Sequence, residues 1–376
     1  MHWDEIMKRW SGLRDDEIYR TLRVSYDVLS SSDGRSIFLD VACFFGGIDK
    51  ETAIYLWDAC GFSSRVSIKA LIDKSLIEII DGQLELHNML PEMGKRIVGE
   101  ELGTGPETER RLWVKEEIID VLEQQKGTSK IEGISLTMQE DGNNMAPRGA
   151  NVNDHSDNHD DSEAEMKPVE AGGFASMDKL RLRMINHVNL MGGYGSMHKR
   201  IKWLQWRGCP LKFLPPDFDL KEVAALDLSY SNIIQLRKKP KWYSGIKDFG
   251  QQPSLIKQRK ENGTVFDNLK FLDLTACNEL TVSPDLSVFP KLEKLVLDRC
   301  DNLVKVHESI ANLKMLVVLS MRSCGKLKEL PDCISRLTSL EQLNLANCFG
   351  LEKLPDCIDE LASLKELDLS NCTSLK

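Results

Sequence analysis

The chain has 376 residues, a formal net charge of −9 and a hydrophobic content of 41%. This length allows two or three domains with packed cores, and the acidic balance disfavours general binding to nucleic acid. The first residues include acids and contain no long apolar run, and no segment approaches the length needed to cross a bilayer. The sequence therefore predicts neither a secreted nor a membrane-spanning protein.

Residues 16–125 are predicted to form a compact helical domain. Helical spacing of apolar residues recurs at 35–45 and at 50–60, where Gly61 marks a stop, and it begins with a stripe made of Ile18, Leu22, Val24, Tyr26 and Leu29. Residues 66–98 then predict a helix, a hairpin turning at Asp81 and Gly82, and another helix. A pair of strands after several helices is the order of a winged-helix domain.

An acidic segment interrupts the chain after this domain. Residues 139–170, within a predicted linker over 126–173, hold nine acids and two bases and few large apolar side chains, so the segment is predicted to be disordered. Five of its residues have spacings that resemble an EF-hand loop, but His159 takes the place of the turn glycine. A flexible loop is the favoured interpretation, and no metal site is predicted.

Residues 174–376 are predicted to be leucine-rich repeats. The clearest copies begin at Leu292, Leu316, Leu340 and Leu364, each 24 residues after the one before. Because one copy cannot bury its leucines alone, stacked copies form a curved α/β solenoid with parallel strands on its concave face. Alternation along a strand directs Leu343 inward and places polar side chains on that face. The predicted protein-binding residues are Asp273, Lys294, Asp298, Ser320, Arg322, Gln342, Asn344, Glu366 and Asp368.

The cysteines follow the repeats. Six fall at the same place after a predicted strand, at Cys209, Cys277, Cys300, Cys324, Cys348 and Cys372, and Cys333 and Cys357 form a second pair 24 residues apart. None has CxxC spacing, so small buried thiols in a reducing compartment are favoured over a metal site.

A second insertion follows Leu236. Residues 237–263 are basic and contain Trp242, Tyr243 and Phe249, a composition that also suits nucleic-acid or phosphate binding. A loop extruded from the solenoid is the favoured interpretation. Contact with the acidic half of the chain stays open as well.

The chain contains, in this order, the segments LRVSYDVL, IFLDVACFF, LIDKSLIEI, LHNMLPEMGKRIV, RRLW and IEGISL, followed by IKWLQWRGCPLKFLPPDF and LDLSYSNIIQL. In this order they resemble plant intracellular immune receptors of the nucleotide-binding leucine-rich-repeat class that carries a TIR domain (TIR-NB-ARC-LRR). The resemblance implies the C-terminal half of such a receptor. Residues 1–15 would be the tail of the preceding helical subdomain, 16–125 the winged helix of NB-ARC, and 174–376 repeats that stop within the last copy.

The resemblance also implies a switch, in which ADP holds the receptor at rest and ATP exchange drives oligomerisation. The family's Met-His-Asp motif, which opens the helix after the wing, corresponds here to Leu86, His87 and Asn88. His87 and Asn88 are therefore the candidate ADP-sensing residues, and Asn88 lacks the charge of the family's Asp. The chain has no GxxxxGK[ST] loop and no TIR domain, so neither a nucleotide cofactor nor enzymatic activity is expected without the rest of a receptor.

Three functions follow as hypotheses. In the first, the repeats of an immune-receptor fragment recognise a pathogen-derived or host protein, and the winged helix restrains or relays the ADP/ATP switch through contact with NB-ARC. Oligomerisation is then expected only in the full receptor. In the second, the chain is a stand-alone repeat scaffold or adaptor. The third, a winged-helix DNA binder, is disfavoured because the candidate recognition helix is not basic. A cytoplasmic location is expected, with the nucleus also open.

Overall fold

The computed structural model describes residues 16–102, 110–138, 168–196, 200–236 and 266–376. It divides the chain into two compact units with the boundary between Trp113 and Val114. The first unit therefore ends before residue 125, where the sequence placed the end of the winged-helix domain. Predictions for residues 1–15, for the insertion at 237–263 and for 139–167 of the acidic segment lie outside the described residues.

The first unit contains five helices and four short strands in its described part. Residues 16–27 are helical (α1). The other helices are α2 (Ser32–Phe44), α3 (Lys50–Ala59), α4 (Ser64–Asp73) and α5 (Leu90–Leu102). The strands are β1 (Ile48–Asp49), β2 (Glu78–Ile80), β3 (Gln83–Glu85) and β4 (Arg111–Leu112). Strands β1, β3 and β2 form an antiparallel sheet in that order.

Local sequence accounts for the ends of these elements. The side chain of Ser31 caps α2 by accepting from the backbone N–H of Gly34, and Asp49 caps α3 by accepting from Thr52 N at 2.9 Å. Gly61 follows α3 with a φ of +83°, which glycine adopts without strain, so it ends that helix as predicted. The wing turns at Asp81 and Gly82, with φ of 49° and 78°, as a tight hairpin requires.

The buried face of α1 differs from the predicted stripe. Tyr19 and Tyr26 in α1 and Leu29 just after it are buried, whereas Ile18 and Val24 are exposed. Residues 19, 22, 26 and 29 follow the spacing of one helix face, and positions 18 and 24 lie off it. Two apolar residues of the predicted stripe therefore face away from the core.

A buried ion pair fixes β4 to the helices of the first unit. Arg111 Nε donates to Oδ1 of Asp40 at 2.9 Å, and the indole Nε1 of Trp57 donates to the other carboxylate oxygen at 3.0 Å. A second nitrogen of Arg111 donates to the carbonyl of Ser36. Since the side chains of Arg111, Asp40 and Trp57 are all buried, the network ties α2, α3 and β4 together.

The second unit begins with helix α6 (Lys115–Glu123), which packs on strand β5 (Gly133–Thr137). Strands β5, β7 (Leu182–Asn186), β9 (Trp203–Gln205), β10 (Ala225–Asp227), β11 (Phe271–Asp273), β12 (Lys294–Val296), β13 (Val318–Ser320), β14 (Gln342–Asn344) and β15 (Glu366–Asp368) form one sheet in that order. All of these neighbours pair in parallel. The sheet thus starts inside the segment predicted as a linker over 126–173.

Strands β6 (Pro168–Glu170) and β8 (Asn189–Met191) form a separate parallel pair in the second unit. Residues 168–170 belong to the acidic segment that was predicted to be disordered, and they are ordered as β6. A 3₁₀ turn, Ala171–Phe174, follows directly and packs against α6. Gly173 allows this approach, because an added Cβ would lie 2.7 Å from the carbonyl oxygen of Leu122 in α6.

Leucine side chains fill the solenoid as predicted, and Leu343 and Leu345 are buried. In the repeats of β10 to β15, the residue three positions after the end of the strand has a positive φ near 60°: Tyr230, Ala276, Arg299, Ser323, Asn347 and Asn371. In five of these repeats the next residue is one of the repeated cysteines: Cys277, Cys300, Cys324, Cys348 or Cys372. These five form the cysteine ladder. Each of those thiols donates to a backbone carbonyl 26 or more residues earlier, as in Cys324 Sγ to Leu297 O at 3.1 Å and Cys348 Sγ to Met321 O at 3.0 Å.

Arg183 occupies a core position of β7. Its strand neighbours in register are Ile134 and Leu204, which are buried, and Arg183 itself has 0% exposure. The guanidinium carbon lies 4.2 Å from the centroid of the Phe174 ring, and none of its three nitrogens has a hydrogen-bond partner among the described residues. Burial lowers the pKa of Arg183 to about 9, because a charge without a partner is unfavourable in the core.

Candidate protein-binding face and switch residues

Parallel register brings the predicted binding residues onto one face of the solenoid. Lys294, Gln342 and Glu366 fall in one row across β12, β14 and β15. Asp273, Ser320, Asn344 and Asp368 fall in the next row. Asp298 and Arg322 follow the strands by two residues and form a third row. The concave face, as used below, means these three rows.

The C-terminal part of the concave face is a hydrogen-bonded polar surface. Oδ1 of Asp298 accepts from the hydroxyl of Ser320 at 2.6 Å and from the backbone N–H of Arg322 at 2.8 Å. In the next repeats, Gln342 donates to Glu366 at 3.1 Å. Arg322, Gln342, Glu366 and Asp368 are exposed, whereas Ala346, two residues after Asn344, is buried. Arg322, Gln342 and Glu366 are thus open to a partner.

The structure extends the concave face to Gln205, Arg207 and Asp227, which the sequence did not predict as binding residues. Gln205, Asp227 and Asp273 lie in register on β9, β10 and β11. Arg207, which follows β9, donates from Nε to Oδ2 of Asp227 at 2.8 Å. The signal was present in the repeated LDL of 226–228 and 272–274, but the insertion at 237–263 separates these two copies by more than one period.

Asp227 and Asp273 are neighbouring carboxylates with different surroundings. Oδ1 of Asp227 accepts from the backbone N–H and the hydroxyl of Ser229 at 3.0 and 2.7 Å, and its other oxygen is paired with Arg207. Asp273 accepts from Thr275 N at 2.8 Å. Burial first, and then the negative charge of Asp227, raises the pKa of Asp273 to about 7.

Two aromatic rings lie in the row beside these carboxylates. Trp203 and Phe271 are stacked, with ring centroids 6.2 Å apart and an interplanar angle of 21°. Lys294 Nζ lies 5.7 Å from the centroid of Phe271. Phe271 precedes Asp273 by two residues on the same strand and therefore shares its face. The rings make one side of the Asp227–Asp273 pair apolar.

The candidate switch residues lie in the turn between β3 and α5. The helix begins at Leu90, so His87 and Asn88 precede it and do not open it as the sequence predicted. The carbonyl of His87 accepts from Leu90 N at 2.8 Å, which starts the turn. Both side chains are exposed. They are accessible on the surface of the first unit.

The described ranges contain no group of three or more His, Cys, Asp or Glu side chains that could hold a metal ion. No helix within these ranges is both long and apolar enough to cross a membrane.

The comparisons with known proteins agree with this architecture. Residues 31–101 match the family described as "Disease resistance protein Roq1-like, winged-helix domain". Disease resistance protein RUN1 from Vitis rotundifolia is 33% identical over 83% of this chain and 22% of its own length. Disease resistance protein RPP2A from Arabidopsis thaliana is 31% identical over 83% of this chain and 21% of its own length. The chain is thus similar to plant disease resistance proteins over most of its length, and its winged-helix region matches a model of that family.

Among solved structures, the chain is similar to the leucine-rich repeat domain of the type III effector XopL, with a TM-score of 0.34 and 19% sequence identity. It covers 52% of this chain and 70% of that chain. The chain spans only about a fifth of the length of the two plant disease resistance proteins above. The activities of whole disease resistance proteins are therefore proposals for this chain.

Proposed function

We propose that this chain is the recognition and restraint portion of an intracellular plant immune receptor. The concave face would bind a pathogen-derived or host protein. The observation that carries this proposal is the parallel register, which places exposed polar side chains of successive repeats in continuous rows. Extended surfaces of this kind are how solenoid proteins bind other proteins.

The winged-helix unit would restrain the receptor's switch. His87 and Asn88 are exposed, and in a receptor they would face the ADP held by a nucleotide-binding module. The sequence contains no P-loop, so we expect ADP or ATP to bind only when such a module is joined to the chain, and we expect the chain to have no enzymatic activity of its own. A cytoplasmic location fits this role.

The experiment joins this chain to the TIR and nucleotide-binding modules of a closely similar receptor and measures cell death in leaves. With a protein that triggers the chimera, Arg322→Ala, Gln342→Ala and Glu366→Ala should each reduce the response. The matched controls are Lys328→Ala and Lys353→Ala, since both lysines are exposed but lie outside the three rows of the concave face. Equal loss of response in both sets would contradict recognition by the concave face.

The second candidate function is a stand-alone repeat scaffold. The same chimera distinguishes it, because a scaffold would bind its partner through the concave face without signalling. Partner binding that leaves the winged-helix unit unchanged in hydrogen exchange, with no cell death, would favour the scaffold.

A further inference from the structure

Two of the repeated cysteines differ from their neighbours in exposure. Within the same two repeats, Cys324 and Cys348 are buried, whereas Cys333 and Cys357 are only partly buried. Cys333 lies in the 3₁₀ turn Asp332–Arg336 after β13, and Cys357 directly precedes the corresponding turn after β14. The sequence predicted small buried thiols at both positions. The structure instead leaves these two thiols within reach of reagents in solvent.

The two thiols occupy the same position of adjacent repeats and lean in the same direction. Cys357 Sγ donates to the carbonyl of Asp332 at 3.0 Å, and Cys333 Sγ donates to the carbonyl of Glu308 at 3.4 Å. The carbonyl of Asp332 is part of the peptide bond that joins this residue to Cys333. The dimensions of a peptide unit therefore place Sγ of Cys357 within about 6 Å of the Cα of Cys333.

Backbone contacts hold the two repeats together on both sides of this pair. Before it, Glu352 N donates to the carbonyl of Lys328 at 2.9 Å. After it, the hydroxyl of Ser363 donates to the carbonyl of Thr338 at 2.7 Å. A disulfide requires Cα atoms about 4.4–6.8 Å apart, and repeats stacked this closely bring equivalent positions into that range.

Only one side chain has to change its rotamer for the two sulfur atoms to meet. Cys357 Sγ already points at the backbone beside Cys333, whereas Cys333 Sγ points the other way, towards Glu308. A rotation of Cys333 about its Cα–Cβ bond, from one staggered position to another, turns its sulfur towards Cys357. The rotation breaks one weak hydrogen bond, because a thiol is a poor donor.

We propose that Cys333 and Cys357 form a reversible disulfide when the chain meets hydrogen peroxide, and that this bond fixes the repeat of β13 to the repeat of β14. One thiolate attacks a peroxide oxygen, the O–O bond breaks, and a sulfenic acid and one water result. The other thiolate attacks that sulfur, so the S–S bond forms, the S–O bond breaks and a second water leaves. Two thiols are thus oxidised by two electrons while one peroxide is reduced to two waters.

This inference goes beyond the proposed function, because it assigns a modification to the return segments and not a ligand to the concave face. In a reducing compartment such a bond is transient and reports a change in redox state. The two linked repeats carry Arg322 and Gln342 of the concave face. The disulfide would therefore stiffen the part of the solenoid to which we assign recognition.

The test treats the full chain with hydrogen peroxide, blocks the remaining thiols with N-ethylmaleimide in urea, and maps tryptic peptides by mass spectrometry. Cleavage after lysine and arginine puts Cys333 in peptide 329–336 and Cys357 in peptide 354–365, and neither contains another cysteine. These two peptides should appear linked, lighter by two hydrogens than their sum, and dithiothreitol should separate them. Burial and the charge of Glu308 raise the pKa of Cys333, so the reaction is run at about pH 8.5 to increase the thiolate fraction.

The same sample contains its own control. Cys348, in peptide 337–353, is buried and should be recovered with N-ethylmaleimide attached. Cys333→Ser should abolish the linked species and leave Cys357 as a sulfenic acid that dimedone traps. Without urea, alkylation of Cys348 should be at least about tenfold slower in the oxidised chain than in peroxide-treated Cys333→Ser, because a cross-link removes the states in which the two repeats separate.

Four results would overturn the proposal. The first is oxidation of Cys333 or Cys357 without any linked species. The second is linked peptides that combine isotopes when heavy-nitrogen and ordinary chains are mixed, since the bond would then join two molecules. The third is equal linkage of Cys324 to Cys348, and the fourth is an unchanged alkylation rate of Cys348. None of these measurements depends on signalling, so the chimera still tests the proposed function separately.

Discussion

Arg111 and Asp40, which are 71 residues apart in the sequence, form an ion pair in the interior of the first unit. Their side chains are 3% and 0% exposed. The carboxylate that accepts from the guanidinium also accepts from the indole of Trp57. A short strand at the end of the unit is thus held by a charge located on its second helix.

Breaking this pair should destabilise the first unit strongly. We expect Arg111→Met to lower its free energy of unfolding by about 3–5 kcal/mol, because the charge of Asp40 remains buried without the guanidinium. Asp40→Asn added to Arg111→Met should recover part of the loss, since the amide oxygen still accepts from Trp57 without a charge. Urea unfolding followed by tryptophan fluorescence measures both. If the double variant loses as much free energy of unfolding as the two single variants lose together, the charge argument is wrong.

Two leucines at the same repeat position provide a matched test of the solenoid core. Leu343 is 1% exposed and Leu367 is 41% exposed, although they are direct register partners. We expect Leu343→Ala to cost about 2–5 kcal/mol through a core cavity. Leu367→Ala should cost roughly half as much or less, since much of its side chain already contacts water. Equal losses in chemical unfolding would show that β15 is more enclosed than its exposure indicates.

Arg183 should be a source of instability in the solenoid. Replacing a buried charge that lacks a compensating partner with an apolar side chain of similar length is expected to be favourable, so Arg183→Met should raise the free energy of unfolding of the second unit by about 1–4 kcal/mol. Arg183→Lys keeps the charge and should give no gain. Chemical unfolding of both variants and of the unchanged chain under the same conditions measures these differences in free energy. A loss of stability in Arg183→Met would mean that contact of the guanidinium with Phe174 outweighs its burial.

The raised pKa of Asp273 predicts how stability changes with pH. The ordinary value is 3.8 and the folded value is about 7, so the folded state binds a proton more tightly than the unfolded state between these limits. The stabilising contribution of protonation is present below about pH 4 and is lost as the pH rises towards 7. Asp273→Asn, which cannot ionise, should therefore gain stability relative to the natural chain as the pH is raised from 4.5 to 7.5.

Asp368→Asn is the control for this pH series. Hydrogen bonds from Ser370 lower the pKa of Asp368 below its ordinary value, so its contribution is lost only as the pH falls towards that value. The difference between Asp368→Asn and the natural chain should stay constant from pH 4.5 to 7.5. If both variants gained stability equally as the pH rises, ionisation of Asp273 would not be the cause of the gain.

Asn88→Asp should favour the resting state of the chimeric receptor. An acid near the start of a helix gains about 0.3–1 kcal/mol from the helix dipole, and the position of Asn88 two residues before α5 favours the lower end of that range. We expect the Asn88→Asp chimera to signal less than the unchanged chimera when no trigger is present. If neither chimera signals without a trigger, Asn88 already favours the resting state as well as the acid does.

The sequence predicted the repeats from Leu292 onward most clearly, because alternating leucines and a constant period determine which side chains face the core. It could not place the boundary between the units. The apolar face of α6, which includes Ile118 and Val121, shows that the helix is buried but not which unit buries it. Its packing on β5 decides that question.

Two features of the concave face could not be predicted from the sequence, for different reasons. Arg207 and Asp227 were missed because the insertion at 237–263 interrupts the period. The raised pKa of Asp273 depends on the enclosure of its side chain and on a carboxylate 46 residues away, which a strand pattern does not reveal. The position of His87 and Asn88 was predicted to within one turn, since only the start of α5 differed.

The buried cysteines of the repeats can report local unfolding of the solenoid. Burial raises the pKa of the thiols of Cys277 and Cys348 to about 12 and about 11, and each thiol is bonded to the preceding repeat. A thiol of this kind reacts with an alkylating reagent only while its repeat is separated from its neighbour. The order in which the cysteines become labelled therefore reports, repeat by repeat, where the solenoid frays first.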